Sequence, residues 1–99
     1  MSKVVDITDK LSFDTNPVLK VKNESFEVQS DAETVLKIMG LFNGEKNEME
    51  AATEAVKLLF DKEDQKRLMK MKLSFKDYMI LIEQAIDLAA GNEEESGEQ

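Results

Sequence analysis

The sequence predicts an α+β domain, predominantly helical, with an N-terminal β arm and hairpin followed by about four helices. Three observations predict it. Apolar and polar residues alternate only in the first third of the chain. From residue 30 onward the apolar residues recur at three- and four-residue intervals. The composition leans to helix, because Leu, Lys, Glu, Ala and Met are abundant beside 4 Gly and 1 Pro. Strands segregated ahead of helices are the α+β pattern.

The opening KVVDITDKLSFDT, residues 3–15, mixes β-branched residues with acids. It reads as a short strand or extended arm around Val4–Ile7, with Asp6 and Asp9 as turn or cap residues. In NPVLKVKNESFEVQS, Val18, Leu19 and Val21 form one apolar run, while Phe26 and Val28 alternate with Ser25, Glu27 and Gln29. Asn23-Glu24 lies between, so a hairpin with a tight turn within residues 22–25 is expected. Pro17 stands where a strand can begin.

Ser30-Asp31-Ala32-Glu33 has the spacing of a capping box. The helix after it should present Val35, Leu36, Met39 and Phe42, with Ile38 beside them, and end at Asn43-Gly44. Residues 47–60 form a second helix whose stripe is Met49, Ala52, Val56, Leu59 and Phe60. The acids of Asp61-Lys62-Glu63-Asp64 suit the start of a shorter third helix, and Arg67, Lys70 and Lys72 suit its end. Ser74 with Asp77 opens the last helix, where Phe75, Tyr78, Met79, Ile82, Ala85, Ile86 and Ala89 keep one stripe until Gly91.

A chain of 99 residues holds one domain, assigned to 1–91, with 92–99 as an acidic tail expected to be disordered. The net charge is −8, and Glu93, Glu94, Glu95 and Glu98 contribute half of it. That balance argues against nucleic acid or anionic lipid as a partner, since basic patches supply such affinity. Neither a secretory signal nor a membrane span is read in the sequence, and with no cysteine the chain suits a reducing compartment. The expected location is cytoplasmic.

The sequence lacks His and Cys, the residue types most used for proton transfer and thiol chemistry near neutral pH. Its 4 glycines are too scattered for a phosphate-cradling loop. The acids at 61–64 lack both the alternating ligands and the central glycine of a calcium loop. No serine sits in the Asp-Ser-Leu context of a carrier protein. The expectation is a protein without catalysis, metal or cofactor.

Binding is the remaining class. Ile80, Leu81 and Leu88 lie off the main stripe of the last helix. A helix apolar over more than one face is central to its own domain or touches a partner. The central position is preferred, with these three as partner-binding candidates. Methionines adapt to irregular surfaces. Met69 and Met71, on the short polar helix, are candidates for exposed contacts, whereas Met39 and Met79 are read as core.

The succession DITDKLSFD, VLKVKNESFEV, DAETVLKIMGLFN and LSFKDYMILIEQAIDLAAG, with a charged tail, resembles the tail assembly chaperones of Firmicute phages and prophages. The resemblance spans about residues 4–91. It implies a small, mostly helical, cytoplasmic protein of the bacterial host that coats a long helical tape measure protein and commonly forms oligomers. The alternatives are an acidic inhibitor that mimics DNA toward a basic enzyme or regulator, or a self-associating structural domain.

Overall fold

The computed structural model describes residues 2–44 and 47–91. The expected disorder of residues 92–99 therefore lies outside the described residues. After a short 3₁₀ turn at Thr8–Lys10 come β1 (Val18–Val21), β2 (Glu24–Glu27), α1 (Ala32–Asn43), α2 (Glu48–Leu59), α3 (Lys62–Lys70) and α4 (Phe75–Ala90). The fold is α+β and mostly helical.

No strand forms around Val4–Ile7; every residue from Ser2 to Thr15 is exposed. The Asp6 carboxylate instead accepts from the Thr8 N–H and hydroxyl, closing a local turn. The strands β1 and β2 pair antiparallel, with Leu19 opposite Phe26 and Val21 opposite Glu24. Phe26 and Val28 are thereby buried while Lys20, Ser25 and Glu27 face water. The tight turn is Lys22-Asn23, one residue earlier than the Asn-Glu pair suggests, and Lys22 carries the left-handed backbone at φ 56°.

Beyond the ladder, the Val28 N–H donates to Pro17 O and the Gln29 N–H donates to Leu59 O. The second bond satisfies a carbonyl at the open end of α2 and fastens the hairpin to it. Asn16 completes the fastening. Its Oδ1 accepts from the Ser30 N–H and hydroxyl, and its Nδ2 donates to Glu27.

That role removes Ser30 from the capping expected of it. Asp31 caps α1, accepting from the Thr34 N–H and hydroxyl. Asn47, Asp61 and Ser74 cap α2, α3 and α4 in the same way, through the N–H three residues on. Gly91 ends α4 at φ 85°, a left-handed conformation that glycine adopts without strain.

The central helix is α2, not α4. It packs on α1, α3 and α4 and buries Ala51, Ala52, Ala55, Val56 and Leu59. Its alanines explain the difference, because small side chains let neighbouring backbones approach. Phe26, Phe60, Ile38, Leu68, Leu81, Ile82 and Ala85 complete the core. Phe26 and Phe60 meet edge to face, with centroids 6.3 Å apart.

Helix α1 departs most from its expected face. It buries Ile38, with Val35 and Leu41 partly covered, and leaves Leu36, Met39 and Phe42 exposed. Met39, read as core, is 51% exposed. Met49 and Phe75, placed on the stripes of α2 and α4, are exposed as well. Among the described residues, no helix is long and apolar enough to cross a membrane.

Candidate functional site

Helices α1 and α4 both pack on α2 and touch each other. Between them runs an open groove with a volume of about 340 Å³. One wall is Ile38, Met39 and Phe42 of α1, and the other is Met79, Ile82 and Ile86 of α4. Ala52 of α2 forms the floor. The spacing explains both walls: residues 79, 82, 83 and 86 share one helical face, as do 38, 39 and 42.

The polar residues lining the groove are Asn43, Glu48 and Glu83, so the charges lining it are carboxylates. A surface of this kind accepts apolar side chains and favours cations at its edge. Methionines on both walls can adapt their three side-chain torsions to the shape of an occupant.

A second apolar depression, of about 330 Å³, lies where α3 meets α4. Met69, Leu73, Phe75 and Tyr78 line it over buried Leu68. Half-burial raises the Tyr78 pKa above its ordinary value.

The five partner-binding candidates do not converge. Met69 is 60% exposed and belongs to the second depression. Met71, two residues on, packs against the core and is half-buried. Ile80 is 48% exposed, on the outer side of α4. Leu81 is a correction: at 6% exposure it belongs to the core, so no partner reaches it in this fold. Leu88 is half-buried against that core.

Reasoning from sequence missed Met39, Phe42, Met79 and Ile86 as the lining of an open groove. The signal was present in α1, where Val35, Leu36, Ile38, Met39, Leu41 and Phe42 make the helix apolar on more than one side. No family model, curated protein or solved structure matches the chain.

Proposed function

We propose that this chain is a non-catalytic binding protein that holds an apolar, helical segment of another protein in the groove between α1 and α4. More particularly, it is a phage or prophage tail assembly chaperone, working in the cytoplasm of the bacterial host on a long helical tape measure protein. The observation that carries the binding role is the open apolar groove with methionine on both walls, over the core residues Ile38, Ala52 and Ile82. The order of sequence segments supports the particular reading. Exposed Met69 and Ile80 offer additional contacts.

Such a client has apolar stripes that must be kept from self-association until assembly. A helix laid in a groove is read by side chains at three- and four-residue spacing, which suits walls built at that spacing. The carboxylates Glu48 and Glu83 favour a client helix flanked by Lys or Arg.

The test is co-expression with a tape measure protein from the same phage or prophage. The expected result is a soluble complex, lost when Met39→Glu and Ile86→Glu are introduced together although the variant keeps its circular dichroism. A tape measure protein equally soluble with and without this chain overturns the chaperone. Recovery of a nuclease or DNA-binding regulator from native cells, with binding that collapses at high salt, favours the acidic inhibitor.

A further inference from the structure

The arm of residues 2–15 and the α1–α4 groove are two apolar surfaces that the single chain leaves open. Along the arm, Val4, Val5, Ile7, Leu11 and Phe13 are all exposed, Val4 at 88%. Phe13 also holds a left-handed backbone at φ 56°, with its ring in solvent. A bulky residue rarely adopts that conformation, and no packing of the ring offsets its cost here. The base of the arm is fixed by the Asn16 bonds to Ser30 and Glu27, and no residue of the arm lines the groove of its own chain.

We propose that the groove between α1 and α4 receives the N-terminal arm of a second copy of this chain, residues Lys3 to Ile7, in a reciprocal exchange. The register is argued from chain geometry and charge. In an extended segment alternate residues share a face. Seated in the groove as an extended segment, Lys3, Val5 and Ile7 would point one way, and Val4 and Asp6 the other. The first set is one cation followed by two β-branched apolar side chains, which matches carboxylates beside an apolar trough. The second set turns Asp6 away from Glu48 and Glu83, avoiding like charges.

Length agrees. Lys3 to Ile7 spans about 13 Å when extended. The α4 wall from Met79 to Ile86 runs about 10 Å along the helix axis. The groove is open along its length, so the arm's outward peptide groups keep their water.

The sequence has no cysteine, which makes cross-linking decisive. Two differently tagged full-length chains, one V5C and one M39C, are mixed and mildly oxidised. The expected product is the mixed disulfide in clear excess over the two like-with-like disulfides. It should be lost when Ile7→Asp is added to the V5C chain. Sedimentation should show a dimer whose dissociation constant rises at least about tenfold with Ile7→Asp, because burying a charge in an apolar trough is unfavourable. No residue of the arm belongs to the core or packs against it, so this variant should keep its circular dichroism and melting temperature.

A statistical mixture of the three disulfides overturns the proposal. So does a chain carrying both cysteines that links within itself at single-chain mass, which would place the arm in its own groove. A wild-type chain that stays monomeric at high concentration does the same. The arm and a client helix would compete for this one groove. A client captured without any V5C–M39C link would overturn the exchange alone, and the link without a client would overturn the client reading and leave the exchange intact.

Discussion

The guanidinium of Arg67 stacks on the ring of Phe26, with its central carbon 4.3 Å from the ring centroid. Phe26 is fully buried at the hairpin and Arg67 rises from α3, so the pair joins the hairpin to that helix. The same guanidinium is bound at its edge. It donates to Glu24 at 2.7 Å, to Asp64 at 2.7 Å and to the Ser25 carbonyl at 3.1 Å. The bonds to Glu24 and Asp64 raise its pKa above the ordinary value, with the Glu24 bond the largest cause. Only a planar group can stack and donate sideways at once. Arg67→Ala is therefore expected to lower the melting temperature by several degrees. Arg67→Lys should recover a minor part of the loss, since an ammonium keeps the charge and loses the fork. Full rescue by Lys, read by thermal denaturation, would show that charge alone matters.

This link between hairpin and α3 could not be read from the sequence. Arg67 is explained locally as a cation near a helix C-terminus, and nothing in its neighbours names Phe26 or Glu24, which lie about forty residues away. Short-range signals fared better. The helix starts at Asp61 and Ser74 and the stop at Gly91 depend on a few adjacent residues and are legible in the chain, whereas Asn47, read as part of its helix, is the cap before it. Ser30 failed as a cap because Asn16, distant in sequence, claims its hydroxyl. The groove was hidden for a related reason. Periodicity shows that α1 is apolar on more than one side, and tertiary packing decides that Ile38 is covered and Met39 is not. The same limit put Leu81 among the contact candidates: an apolar residue off the main stripe reads as spare until α2 is seen to cover it.

The junction of α2 with the hairpin should be the most sensitive part of the core. Phe60 is 1% exposed, meets Phe26 edge to face, and follows the carbonyl that binds Gln29. Phe60→Ala removes a ring from a closed core, at a cost of about 3–5 kcal/mol. In a domain of this size, which has about 5–15 kcal/mol in hand, that is enough to populate the unfolded state measurably. Urea denaturation of the variant checks it, and a loss under about 1 kcal/mol would mean that this region repacks freely.

The hairpin turn offers a gain instead of a loss. Lys22 occupies a left-handed position at φ 56° with its side chain exposed. A residue with a Cβ is disfavoured there by about 1 kcal/mol, and glycine is not. Lys22→Gly should raise stability by about 0.5–1 kcal/mol, part of the relief being returned as extra freedom in the unfolded chain. Asn at this position should gain less. No change in either variant would place the limiting strain of the hairpin elsewhere.

The acid side of the stability profile should bear the mark of Asp31. Its carboxylate caps α1 through the Thr34 hydroxyl and N–H, and these bonds hold its pKa below the ordinary value. A depressed carboxylate stabilises the fold above its unfolded pKa, near about 4. That contribution is lost as pH falls through the lower folded value. Asp6 is depressed by the same kind of bond to Thr8, yet it lies on an arm of which no residue belongs to the core or packs against it. Asp31→Asn keeps an acceptor for the cap, so stability at pH 7 should be nearly retained while the decline below pH 4 becomes shallower. Asp6→Asn should leave that decline unchanged in the monomer. Melting temperatures measured across this range separate the two.

Charge placed on either side of the groove wall separates binding from packing. Leu81→Glu puts a carboxylate into the core beside α2, where no cation waits for it. Desolvation of that charge should cost several kcal/mol and unfold much of the protein. Met39→Glu sits across the groove on a half-exposed position of α1, where the new carboxylate keeps its water and meets only Glu48 and Glu83 across the opening. Its melting temperature should stay close to that of the unaltered chain, while binding of an apolar segment in the groove weakens. If Met39→Glu destabilised the fold as much as Leu81→Glu, Met39 would be a core residue after all, and the groove would close in solution. If neither stability nor binding responded to Met39→Glu, attention would pass to exposed Met69 and Phe75 in the depression between α3 and α4.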